Sequence, residues 1–158
     1  MRIVVGCDHG GFPLKQELLK HLAERGISVQ DVGCFSTESV DYPDIAEKAT
    51  DVITAGEADR GILICGTGIG MSIAANKVPG IRAALGSDPY SARMACEHND
   101  AQVLCLGARV LGPSLAMEIV DAYLDAVHAG GRHATRVEKM MQIEKKYREG
   151  GKHPCQES

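Results

Sequence analysis

Cys65 closes an apolar run, Gly61-Ile-Leu-Ile-Cys65, and the next residues are Gly66, Thr67, Gly68, Ile69 and Gly70. A thiol at the end of a buried strand, with a glycine loop and a helix start beside it, has two chemical uses. Backbone N–H groups at a helix N-terminus cradle an anion or stabilise charge developing on an oxygen. The same electropositive surroundings favour thiolate, which serves as base or nucleophile. Against this, strand–glycine–helix turns are common and buried cysteine is usually a small hydrophobe. Cys65 alone therefore decides nothing.

Other side chains add weight. Asp8 and His9 follow directly on the first apolar run, Ile3–Cys7. His98 lies in Cys96-Glu-His-Asn-Asp100, at the end of a predicted helix. A histidine there suits the helix dipole and needs no further role. Beside a reactive cysteine it becomes a general acid, and Asn99 can hold a sugar hydroxyl. Arg132 and Arg136 are four apart and share a helical face. Such pairs usually form a solvated charged face, and Glu138 and Lys139 nearby fit that reading. With Arg109 they offer three guanidinium groups to one phosphate. The last helix lies far beyond Cys65 in the chain, which suggests service to a neighbouring subunit's site.

Elements that would position these groups alternate regularly. Strands are predicted at Ile3–Cys7, Ser28–Val32, Gly61–Cys65, Arg82–Leu85 and Gln102–Leu106. Pro13, Pro43, Pro89 and Pro113 each sit where a helix should open. One helix carries Leu14, Leu18, Leu19 and Leu22 on its apolar face, and another carries Ile45, Ala49, Val52 and Ile53. A short helix is expected over Met71–Asn76. A long one carries Ala116, Ile119, Val120, Tyr123 and Val127 inward until Gly130-Gly131 breaks it, and a last helix runs from His133 to Tyr147. Short buried strands alternating with helices predict an α/β fold: a three-layer α/β/α sandwich with a five-stranded parallel, doubly wound, Rossmann-like sheet. Ligands in such sheets bind beyond the carboxyl ends of the strands, where Asp8, His9, Cys65 and Arg109 fall.

At 158 residues the chain suits one domain, 1–149, with a loose tail over 150–158. Its net charge of −4 and its lack of basic clusters interleaved with aromatics argue against nucleic acid. The first apolar run is too short for a signal peptide or a membrane span, so a cytoplasmic chain with no membrane partner is expected. Six cysteines without a C-x-x-C pair indicate neither a zinc ribbon nor a thioredoxin-type site, and reduced thiols are the default.

Familiar phosphate motifs fail at position 71. A Walker loop needs lysine there, G-x-G-x-x-G needs glycine, and a Cys-x5-Arg phosphatase loop needs arginine; the residue is Met71. Asp8, His9 and His98 lack the spacing of a zinc site.

Taken together, Gly6-Cys-Asp-His-Gly10, Val40-Asp-Tyr-Pro-Asp44, Cys65-Gly-Thr-Gly-Ile-Gly-Met-Ser-Ile-Ala-Ala-Asn-Lys77, Glu97-His-Asn-Asp-Ala101 and Arg132-His-x-x-Arg136 resemble the type B ribose-5-phosphate isomerases. They match in order over nearly the whole chain. The resemblance implies an aldose–ketose isomerase with no metal or cofactor, acting on a sugar phosphate as a homodimer that can pair into a dimer of dimers. It implies Cys65 as the base between C1 and C2, and the Gly66–Gly70 loop with Thr67 holding the enediolate. His98 would open the furanose. Asp8 and Asn99 would contact sugar oxygens, Tyr42 would line the site, and His9, Arg109, Arg132 and Arg136 would surround the phosphate. Some relatives carry a glutamate base where Met71 stands; this chain is of the cysteine type. Two alternatives remain: an isomerase of allose 6-phosphate or galactose 6-phosphate, and a non-catalytic sugar-phosphate sensor.

Overall fold

The computed structural model describes residues 1–149, so the expected loose tail lies outside the described residues. Five strands, β1 (Arg2–Cys7), β2 (Ser28–Asp31), β3 (Arg60–Cys65), β4 (Ala83–Leu85) and β5 (Val103–Gly107), form one sheet in the order β2-β1-β3-β5-β4. All neighbours pair in parallel, Cys7 opposite Ile64 and Cys65 opposite Gly107. The helices between them are α1 (Phe12–Glu24), α2 (Tyr42–Thr54), α3 (Ile69–Ala75), α4 (Pro89–Asn99), α5 (Pro113–Leu124) and α6 (Arg132–Glu149). The expected α/β/α sandwich is thus formed.

Strand side chains alternate between two cores, as the pleat requires. Ile3, Val5, Cys7, Ile62, Ile64, Leu104 and Leu106 pack with Leu14, Leu18 and Leu22 of α1, Ala92 and Cys96 of α4, and Ile119, Val120 and Tyr123 of α5. Val4, Leu63, Cys65, Val103 and Cys105 face the opposite layer, against Ile45, Ala46 and Ala49 of α2 and Met71 and Ala75 of α3. Each fully buried Leu or Ile contributes about 1.5–3 kcal/mol relative to exposure.

Proline stands in the first turn of α1, α2, α4 and α5, where a missing N–H costs nothing. Two expectations need correction. The long helix does not run to Gly130: α5 ends at Leu124, and Val127 is 77% exposed. Arg60, at the start of β3, donates to the carbonyls of Tyr123, Leu124 and Ala126 at 2.6, 3.3 and 2.8 Å. Those carbonyls are satisfied by a long-range guanidinium, which no local sequence signal announces. The short helix begins at Ile69, two residues earlier than expected, because Gly68 at its N-cap takes a left-handed conformation, φ 78°.

Candidate active site

At the carboxyl end of the sheet, Cys65 is 5% exposed and its Sγ accepts the Gly68 amide at 3.1 Å. An amide aimed at sulfur stabilises negative charge there. The following loop is held by close packing against side chains and backbone. A Cβ on Gly68 would lie 2.5 Å from Leu85 Cδ1, and one on Gly107 would lie 2.7 Å from the Thr67 carbonyl oxygen. A Cβ on Gly70 would lie 2.7 Å from Cζ of Tyr42, so the Tyr42 ring, 40% exposed, covers that turn. Thr67 Oγ1 accepts the Ile69 amide at 3.3 Å. The opening amides of α3 have no intrahelical partner, the usual condition of a helix start.

Asp8 joins the same end. Its carboxylate accepts the Gly11 amide at 2.9 Å, and its own amide donates to the Ile64 carbonyl at 3.0 Å. His9 Nδ1 accepts the Val40 amide at 3.4 Å. Arg109, exposed, lies along Gly66: a Cβ there would be 3.5 Å from its Cδ and Nε, and one on Gly10 would be 3.7 Å from its terminal nitrogen. Asp8, His9, Tyr42, Cys65, the Gly66–Gly70 loop and Arg109 therefore gather at one end of the sheet. Burial pushes the Cys96 and Cys105 thiols up, leaving them as packing residues.

His98, Asn99, Arg132 and Arg136 do not join them in this chain. They lie at the amino end of the sheet. Cys96, two residues before His98, touches the guanidinium of Arg60 at 2.9 Å. Arg60 starts the strand that Cys65 ends, and five strand steps separate them by roughly 16 Å. The reason is topological. In a parallel α/β unit each helix runs back toward the amino ends of the strands, so the last turn of α4 is delivered there.

This second cluster has its own order. The rings of His98 and His133 stack with centroids 4.0 Å apart and planes within 5°. His133 is buried, and Arg132 Nε points to its Nε2 at 3.5 Å. Burial first, then the charges of His98, Arg132, Arg136 and His128, holds His133 below the usual histidine value. The Ala129 amide and His128 Nδ1 both meet the Glu97 carbonyl, at 2.9 and 3.0 Å, fixing the approach to α6 against the end of α4. Asn99, Arg132 and Arg136 are exposed. The sequence reading gave His133 no role, although it stands between the two arginines; its stacking partner is distant in sequence and no spacing reveals it. Gly11 also escaped notice: a Cβ there would lie 2.6 Å from the Ile64 carbonyl oxygen, so α1 starts hard against β3.

Met71 is fully buried in the α2–α3 core and offers no ionisable group. Among the described residues no group of three or more His, Cys, Asp or Glu side chains could hold a metal ion, and no helix is long and apolar enough to cross a membrane.

Comparison with known proteins gives a consistent picture. The profile described as Ribose/Galactose Isomerase matches residues 3–140. Ribose-5-phosphate isomerase B of Escherichia coli (strain K12) is 53% identical over 145 residues, 92% of this chain and 97% of that protein. D-erythrulose-4-phosphate isomerase of Pectobacterium atrosepticum is 48% identical, over 89% of this chain and 93% of the relative. The structure of Clostridium thermocellum ribose-5-phosphate isomerase B superposes with a TM-score of 0.91 at 58% identity, covering 93% and 99% of the two chains.

Proposed function

The chain belongs to the ribose/galactose isomerase family, whose type B ribose-5-phosphate isomerases it matches over nearly its whole length, and from that premise we propose that it interconverts ribose 5-phosphate and ribulose 5-phosphate. The observation that carries the reading is the Cys65 sulfur held against the Gly68 amide at the mouth of the glycine loop.

In this mechanism the Cys65 thiolate removes the C2 proton of the open aldose and returns it to C1. Charge passing onto the sugar oxygens meets the amides of the Gly66–Gly70 loop, with Thr67 beside them. Fixed dipoles stabilise such charge without reorganising during the step. Asp8 binds a sugar hydroxyl, and Tyr42 walls the loop. His98 donates a proton to the ring oxygen, so the furanose opens before isomerisation, and Asn99 holds a hydroxyl. Arg109 and His9 on one side and Arg132 and Arg136 on the other bind the phosphate.

The separation of the two clusters along the sheet supports a site assembled from two copies of the chain. One copy supplies Cys65 and its loop, and the other supplies His98, Asn99, Arg132 and Arg136. On this reading the working unit is a homodimer with two equivalent sites, and a dimer of dimers is compatible with it.

The 48% identical relative named for erythrulose 4-phosphate favours a second reading, that the pocket takes another chain length. Turnover should be measured in parallel on ribose 5-phosphate, erythrulose 4-phosphate and allose 6-phosphate. The highest kcat/KM is expected for ribose 5-phosphate. A higher value for either of the others would reassign the substrate, and no turnover of any would return the chain to a sugar-phosphate sensor.

A further inference from the structure

Two thiols that the proposed chemistry does not use lie together at the rim of the Cys65 end. Cys7 is the last residue of β1, directly before Asp8, and is fully buried; Cys34 is 5% exposed, in the segment between β2 and α2. Their sulfurs are 3.7 Å apart and both are free. The backbones are clamped side by side: the Cys7 amide donates to the Gly33 carbonyl and the Cys34 amide to the Cys7 carbonyl, each at 2.6 Å. That pairing continues the β1–β2 ladder beyond its regular end. It keeps the two residues at neighbouring-strand spacing, within the span a disulfide bridges.

Lys15 completes the cluster. It is fully buried, and its ammonium donates to both Asp31 carboxylate oxygens at 2.7 and 2.8 Å and to the Cys34 carbonyl at 2.6 Å. Cys34 Sγ points to the Ser36 carbonyl at 3.2 Å. Residues 32–41 contain no helix or strand, so the Cys34 sulfur can travel the roughly 1.7 Å needed for bonding without breaking a regular element.

We propose that Cys7 and Cys34 are a redox modification site, closing to a reversible intramolecular disulfide when the protein meets a small-molecule disulfide. Cys34, the less buried, loses its proton to solvent and attacks one sulfur of the reagent. The reagent's S–S bond breaks and its second half leaves as a thiolate, which is protonated. Cys7 then attacks the Cys34 sulfur, giving up its own proton, and expels the remaining half as thiol. Two electrons pass from the protein to the reagent, and two small thiols are released.

Burial pushes the reduced Cys7 thiol up to about 12; Lys15 pulls it down, while the charge of Cys34 and the hydrogen bond with it push it further up. Converting Cys34 to a mixed disulfide removes its charge. The second step is also intramolecular between sulfurs already in contact, which offsets a low thiolate fraction. The bond would tie segment 33–41 to β1. That segment supplies the Val40 amide to His9 and leads into Tyr42, so closure would act on the sugar site from its rim.

The test uses the folded wild-type chain at pH 8 with bis(2-hydroxyethyl) disulfide, followed by acid quenching, alkylation and tryptic mapping. Cys7 and Cys34 each fall in a peptide with no other cysteine, residues 3–15 and 26–48. Most chains should yield these two peptides linked, two hydrogens lighter than their sum and separable by dithiothreitol. Cys34→Ser should yield no link at Cys7, and Cys7→Ala should trap the reagent on Cys34. Recovery of the two wild-type peptides unlinked, or of Cys34 joined to any other cysteine, would overturn the proposal.

Discussion

The two ends of the sheet are built by different means. The carboxyl end is built from close-packed glycines: Gly11, Gly68, Gly70 and Gly107 each stand where a Cβ would come within 2.7 Å of a neighbouring atom, and the Cys65 sulfur is addressed by an amide. The amino end is made of long side chains on helix termini: His98 and His133 in a stack, with Arg132 and Arg136 exposed beside it. The first end has the proposed base and fixed dipoles but, among the described residues, a single guanidinium, that of Arg109. The second has cationic and acid–base groups, and its thiol, Cys96, is a buried packing residue pushed up by burial. The proposed reaction draws on both. The comparison teaches that residues one sequence offers for a single site can still be divided between two ends of the fold.

The largest expected effect breaks the carboxyl end. Cys65→Ala should cost roughly 10²–10⁴ in kcat, the usual loss for a proton-transfer group, while circular dichroism stays unchanged. Near wild-type turnover would remove the thiol from the reaction.

His98→Asn strikes the other end and should spare the proton transfer. Single-turnover rates should fall by about 10²-fold from ribose 5-phosphate, which must open its ring. They should fall much less from ribulose 5-phosphate, which has no furanose. Equal losses in the two directions would deny His98 the ring-opening role.

Arg136→Ala should weaken binding of the phosphorylated sugar by roughly 10- to 150-fold, the equivalent of about 1.5–3 kcal/mol for a charge-assisted contact. The same variant sharpens the comparison. Mixed in equal amounts with Cys65→Ala chains, allowed to exchange subunits and assayed at substrate well below KM, it should reach about a quarter of the wild-type kcat/KM, since half of randomly formed dimers carry one intact site. Confirmed exchange without recovery would mean that both groups of each site come from the same chain.

The smallest effect is on stability. His133 is held below its ordinary value when folded, mainly by burial. Its contribution is therefore present above the unfolded-state value of about 6.5 and is lost as pH falls from there through the folded value. Urea midpoints should decline from pH 7.5 to 5.5, and His133→Phe, which keeps a flat ring for the stack, should decline less. Parallel curves for the two proteins would assign the acid sensitivity elsewhere.

The sequence by itself determined the layers, the strands and the contents of the carboxyl end. Alternating apolar runs dictate a parallel sheet, proline marks four helix starts, and contiguous residues such as Asp8-His9 and Cys65–Gly70 are delivered together because a strand and its following loop are one covalent piece. Only the tertiary structure decided what depends on contacts remote in the chain. Arg60, reaching carbonyls 63–66 residues away, ends α5 before Val127. His133 meets His98 across 35 residues because α6 packs on the end of α4. The direction in which α4 returns along the sheet sets His98 at the end opposite Cys65, since a helix connecting parallel strands must carry the chain back to where the next strand begins.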